Sequence, residues 1–297
     1  MERGFLERVE SYADIRAWSE ASQQEKGDSL SSSYVSEIPN YTHLHIHTSD
    51  LQSLKIVWDQ WDSDIRQSFH EMYGDLHCLL QMQVDKALIR ALVQHWNPAY
   101  NCFTFGGFDL TPTIEEYTAL LHSPMVQADK IYSRHPTLPS FKKRIVKVTG
   151  MSEQWAEGQI RRKGQNECIA GRSLLDLIQT HPDPKRRIDL FALSVYGLVI
   201  FPRVVEHIDI AVFDLFDRLE KGVTPIVAIL TETCRSLSFC RSTGDGKFIG
   251  CPQLLQAWFL SHLRKMNGAL GRVFSSNYSP LQDVLKQKWP EGYSEET

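Results

Sequence analysis

The stretch His95–Leu121, HWNPAYNCFTFGGFDLTPTIEEYTALL, holds a helix end, a tight hairpin and a helix start in succession. Trp96-Asn97-Pro98 stops a helix, because proline has no N–H to donate and moves the residue before it out of the α region. Cys102–Phe105 alternates small or polar residues with aromatic ones, and Phe108–Thr111 does so in part. Gly106-Gly107 between them can take the positive φ of a two-residue turn. Thr113-Ile114-Glu115-Glu116 has the spacing of a capping box, in which hydroxyl and carboxylate each cover an orphan N–H. The segment predicts one small β-hairpin near 101–111, set between helices.

Working outward, apolar residues recur at helical spacing. Leu54, Trp58, Trp61, Ile65, Phe69 and Met72 form one stripe, which predicts a helix over Leu51–Tyr73 ended by Gly74. Val84–Trp96 reads as a second helix and Ile114–Leu121 as a third. Further helices are expected over Phe141–Val148, Ser152–Lys163, Ser173–Gln179, Lys185–Phe201 and Val204–Lys221. Another opens at Thr224-Pro225, and the last covers Pro252–Met266. Gly244-Asp245-Gly246 reads as a turn. The fold class is therefore mainly α, a multi-helix domain with one hairpin. Its parts are an arm over 1–50, a helical core over 51–270 and a loose tail over 271–297.

With 297 residues, 42% hydrophobic and 23% charged, the chain can bury a sizeable core. Its net charge is −4, but the charge is unevenly spread. Residues 130–187 hold 13 Lys and Arg against 5 Asp and Glu, and the remainder holds 19 against 31. A basic segment in an acidic protein suits either an anionic partner or a solvated basic face. Cysteines 78, 102, 168, 234, 240 and 251 form no CxxC pair, which suggests reduced thiols in an intracellular compartment. The charged N-terminus MERGFLERVE does not read as a signal peptide. The apolar run Leu190–Phe201 would span roughly 18 Å as a helix, against roughly 30 Å for a bilayer core, so no membrane contact is expected.

Candidate chemistry is sparse. His43, His45 and His47 would share one face of a strand and offer donors for Zn²⁺ or Cu²⁺, or simply form an exposed strand or loop. Glu115 and Glu116 point about 100° apart on a helix, which suits capping better than acid–base work. Gly244-Asp245-Gly246-Lys247 misses the phosphate-loop pattern, since Arg241 stands where the first glycine belongs and Phe248 replaces the Ser or Thr. His70-Glu71 lacks the second histidine of a zinc-protease helix. No catalytic, metal or cofactor residue is assigned. The basic candidates are Lys142, Lys143, Arg144, Lys147, Arg161, Arg162, Lys163, Lys185, Arg186 and Arg187, which could neutralise phosphates without reading sequence. Phe103, Phe105 and Phe108 could stack bases or form the hairpin's buried face.

The segment from Trp96 to Leu121 resembles the opening motif of the plant mobile domain. Further resemblance lies in Ile145–Trp155 (IVKVTGMSEQW), Phe191–Pro202 (FALSVYGLVIFP), Asp214–Pro225 (DLFDRLEKGVTP) and Phe248–Phe259 (FIGCPQLLQAWF). These motifs fall in order along nearly the whole chain and resemble an uncharacterised plant branch of that group. Members of the branch continue further, so the resemblance implies a C-terminally shortened chain. It also implies a non-enzymatic nuclear module linked to transposable elements or silencing. Some members are labelled aminotransferase-like, yet no lysine here is recognisably placed for a Schiff base with a carboxylate partner for a pyridinium nitrogen.

Two readings follow. In the first, the chain is an interaction module whose partner is nucleic acid or an acidic protein, with no small-molecule substrate. In the second, it is an enzyme or degenerate enzyme with a pocket between helices, which predicts titratable groups converging near His95, Glu115 and Glu116.

Overall fold

The stripe over Leu51–Tyr73 folds as two helices, not one. A computed structural model describes residues 43–46, 51–105, 108–123, 140–164, 166–243 and 245–265, besides the single positions 17 and 21. Strand β1 is His43–Ile46, and helices α1 (Gln52–Gln60) and α2 (Ser63–Tyr73) follow. The break falls at Trp61-Asp62 because the Asp62 carboxylate accepts the Ile65 N–H and starts a new helix. Trp58 and Phe69 still meet across the break, edge to face at 5.3 Å.

Gly74 ends α2 as expected, with φ 63 and ψ −140. A short α3 (Cys78–Gln81) and α4 (Lys86–His95) come next, with Asp85 capping α4 through the Ala87 and Leu88 N–H groups. The helix stops at Trp96-Asn97-Pro98 as expected. Trp96–Asn97 then forms β2, pairing with β3 (Cys102–Phe105), which pairs with β4 (Phe108–Leu110). The expected hairpin is thus part of a three-stranded antiparallel sheet. Gly106-Gly107 lie outside the described residues. Helix α5 (Ile114–Leu121) opens with both hydrogen bonds of the capping box in place.

Helices α6 (Phe141–Thr149) and α7 (Glu153–Gln159) lead into a second antiparallel sheet. Its strands are β5 (Ile160–Lys163), β6 (Asn166–Ala170) and β7 (His207–Asp209). Two expected helices are corrected here. Ser152–Lys163 is helical only to Gln159, with Ser152 as its cap as expected. Val204–Lys221 begins with β7, and its helix α10 (Ile210–Leu219) starts only after the Asp209 carboxylate caps it. Between β6 and β7 lie α8 (Gly171–Thr180) and α9 (Pro184–Val195), the latter continued by a π-helical turn at Tyr196–Ile200. Pro202 has no N–H to extend the α pattern, and Phe201 N–H instead reaches back to the Tyr196 carbonyl at 2.9 Å. Within that turn Gly197 lets β7 close in: a Cβ there would stand 2.6 Å from Ile208 Cγ1.

Helix α11 (Ile226–Thr243), strand β8 (Asp245–Phe248) and α12 (Pro252–Lys265) complete the described chain. The Gly244-Asp245-Gly246 turn expectation is corrected from Asp245 onward, where β8 pairs in parallel with β1. The fold is mainly helical, as the periodicity predicts, but the described residues carry three small sheets where one hairpin is expected.

Helix faces and sheet faces close on one apolar core that includes Phe69, Trp96, Phe103, Phe191, Phe213 and Trp258, all fully buried. Trp96 and Trp258 donate their indole N–H groups to Ser238 Oγ and Glu116 Oε2, each at 2.9 Å, so neither buried donor is orphaned. The phenylalanines expected either to stack bases or to pack inward do the latter where described. Phe103 packs on Trp96 at 4.9 Å, and Phe105 on Phe259 at 5.5 Å. Among the described residues no helix is long and apolar enough to cross a membrane. All six cysteines are free thiols.

Candidate anion-binding cleft

The residues of the expected basic segment do not form one patch. Lys142 lies 3.1 Å from Glu153 and 3.7 Å from Glu157. Lys143 is exposed on the outer face of α6. Arg144 is buried, its Nη1 2.9 Å from Asp214 Oδ1. Lys147 pairs with Asp217. Arg161 is exposed and donates to the Gly158 carbonyl at 2.7 Å, while Arg162 stands 3.5 Å from Glu167. Lys185 is exposed and Arg187 half-buried. Arg186 donates to the Lys147 and Val148 carbonyls at 3.2 and 3.0 Å, covering the open carbonyl end of α6. Lys142, Arg144 and Lys147 thus spend their charge on holding α6 to α7 and α10, and Arg186 ties α9 to the end of α6.

Lys163, of the ten, lines a concavity. A cavity of about 490 Å³ lies where β5, β6, the segment before β7, α11 and β8 meet, and four cations line it: Lys163, Arg203, Arg235 and Lys247. No acidic side chain lines it among the described residues. The two arginines are anchored from behind. Arg203 Nη1 is 3.7 Å from the buried Asp209, and Arg235 Nε is 3.0 Å from Glu232 Oε2 with a second, shorter contact to Oε1. The two lysines have no carboxylate partner among the described residues. Burial pushes the Lys247 ammonium below the usual lysine range. Ser236 and Phe239 add a hydroxyl and an aromatic ring to the wall. The Glu232 carboxylate fixes the Arg235 guanidinium, Asp209 faces Arg203 as an ion pair, and the lysines keep the hollow positive. Such a site concentrates an anion and can hold it by charge-assisted hydrogen bonds.

The cleft was hard to see in the sequence. Arg203 and Arg235 are lone residues far apart in the chain, and Lys247 follows a turn-like triplet that fails the phosphate-loop pattern. They come together only where β5, β6, the segment before β7, α11 and β8 meet.

The enzyme reading pointed to His95, Glu115 and Glu116. His95 Nδ1–H donates to the Thr104 carbonyl at 3.0 Å, and Glu115 is exposed. Glu116 accepts from Thr113 N–H at 3.1 Å and Trp258 Nε1–H at 2.9 Å, and His262 Nε2 stands 2.8 Å away. Burial alone would raise this carboxyl, but the His262 and Trp258 hydrogen bonds outweigh it and hold the pKa at about 2. Glu116 therefore caps α5 and ties it to α12. A carboxylate whose folded pKa lies below its unfolded 4.5 stabilises the fold above that pH, and the gain is lost as pH falls toward about 2. Glu116→Gln is expected to be less stable than the parent at neutral pH and to lose less stability across that window. Urea midpoints at several pH values check this, and parallel curves would refute it.

Of the three histidines at 43, 45 and 47, the first two lie on β1, while their side chains and all of His47 fall outside what the structure describes.

A mainly helical domain with small sheets and a cationic hollow is thus the class that the fold and site define. The family model described as Domain of unknown function (DUF7745) matches residues 54–291, and the chain belongs to that family. It is 25% identical over 255 residues to Protein MAIN-LIKE 2 of Arabidopsis thaliana, covering 82% of this chain and 36% of that protein. The chain thus spans about a third of the length of that relative. No solved structure matches. Together the family and this plant relative support the plant-mobile-domain relationship carried by the sequence motifs.

Proposed function

We propose that the chain is a non-enzymatic interaction module that grips an anionic partner, nucleic acid in the first instance, through the cleft of Lys163, Arg203, Arg235 and Lys247. The observation that carries this reading is the convergence of four cations from separate elements on one concavity without an acidic lining residue. Phe239 in the same wall offers a face for an unstacked base. The plant-mobile-domain resemblance supports a nuclear role linked to transposable elements or silencing.

The test is binding of a labelled mixed-sequence single-stranded oligonucleotide, read by fluorescence anisotropy. With two to three phosphates neutralised, affinity should fall roughly tenfold between about 50 and about 200 mM salt. The double reversal Lys163→Glu, Lys247→Glu should weaken binding at least about tenfold, whereas Lys143→Glu on the outer face of α6 should leave it nearly unchanged. Binding that ignores the cleft variant, or ignores salt, would sink the proposal.

A further inference from the structure

Asp75 and His77 lie in the turn that leads from α2 into α3, Cys78 is the first residue of α3, and none of the three lines the cationic cleft. Each offers one ligand atom, and the three atoms lie within 4.8 Å of one another. Cys78 Sγ is 3.4 Å from His77 Nε2. A tetrahedral ion with Zn–S near 2.3 Å and Zn–N near 2.0 Å would set those two atoms roughly 3.5 Å apart. The spacing is therefore already that of two ligands on one ion.

The surroundings match what a metal site needs. The Asp75 carboxylate is fully buried, with the His122 Nδ1–H donating to Oδ2 at 2.7 Å, which orients it. His70 stands 3.3 Å from the other oxygen, Oδ1, with its side chain half exposed, so it can leave that oxygen or supply a fourth ligand. The His77 ring is fixed by stacking on Trp58 at 4.2 Å and 13°. A cavity of about 230 Å³ borders His77, with Lys55, Trp58, Asp59, Leu80 and Gln81 in its wall.

We infer that Asp75, His77 and Cys78, with His70 at hand for the fourth position, form a binding site for a divalent transition-metal ion of the zinc type. Mixed thiolate, imidazole and carboxylate donors favour such an ion over Ca²⁺ or Mg²⁺. Binding would displace the Cys78 proton and release it to solvent.

The full chain, stripped with a chelator and kept reduced, is titrated with Co²⁺. The expected result is one equivalent bound, a thiolate-to-cobalt charge-transfer band, intense visible bands of a tetrahedral centre, and displacement by Zn²⁺. Cys78→Ser should abolish the charge-transfer band while far-ultraviolet dichroism is retained. His77→Gln, at a half-buried position that tolerates a polar side chain, should weaken Co²⁺ binding at least tenfold. It decides the matter if the serine variant fails to fold. No charge-transfer band in the folded parent, a band that survives Cys78→Ser, or unchanged affinity in His77→Gln overturns the site.

Discussion

Gly74→Ala should destabilise the chain by about 4 kcal/mol or more, at the extreme of single substitutions. Two effects add. The backbone at φ 63, ψ −140 is close to a region held almost solely by glycine, and a side chain there costs on the order of 1–3 kcal/mol. The new Cβ would also lie 2.2 Å from the Leu121 carbonyl oxygen and 2.4 Å from that of His122. Both are backbone atoms at the end of α5, and they cannot swing aside as a side chain would. The close approach exists because Asp75 N–H donates to that same Leu121 carbonyl at 2.8 Å, while the Asp75 carboxylate accepts from His122. Gly158→Ala is the control: no atom lies within 4 Å of its Cβ, and alanine in an exposed helix should be neutral or stabilising by up to about 1 kcal/mol. Urea unfolding of the three proteins reads the difference, and a Gly74→Ala midpoint near the parent's would contradict the described turn.

Arg144→Ala should be the second large loss, about 3–5 kcal/mol, because it strands the buried Asp214 carboxylate that faces Arg144. Arg218 Nε, 3.5 Å from the other Asp214 oxygen, softens the loss without replacing the pair. Lys143→Ala next door, on the exposed side of the same helix, should shift stability by no more than about 0.5 kcal/mol. If Arg144→Ala instead kept its urea midpoint and lost oligonucleotide affinity, Arg144 would be a contact residue and the burial argument would fail. The contrast matters because the two residues are adjacent members of one basic run. Helical geometry turns one inward and leaves the other in water.

What the sequence disclosed was local. The stop at Pro98, the capping box at Thr113 and Glu116, the cap at Ser152 and the glycine at 74 each act through neighbours within a few positions, so residue type and spacing suffice. The apolar stripes were legible for the same reason, since a helix repeats on its own. The short strands were not. Ile160–Lys163 is a strand because Asn166–Ala170 lies beside it, and nothing within β5 competes with a helical reading. Likewise, the stripe from Val205 to Leu219 kept its period across Asp209, where a carboxylate cap outweighs periodicity. The cleft is less legible still, because its four cations come from different elements and gain meaning only when the sheets form. In the basic run, composition reported charge correctly but could not say that Asp214, Asp217, Glu153 and Glu157 wait opposite it.

Strand β1 lies in parallel along β8, with His45 opposite Lys247. Parallel neighbours cannot be joined by a tight turn, and here nearly the whole helical body intervenes between the two. A fragment begun at Leu51, or at residue 54 where the family match starts, would lack β1. Its β8 would then present bare N–H and C=O groups beside the cationic hollow, a template on which foreign strands can add. Shortened preparations would gain a self-association surface that the longer chain already fills, and oligomers seen in them would be products of trimming.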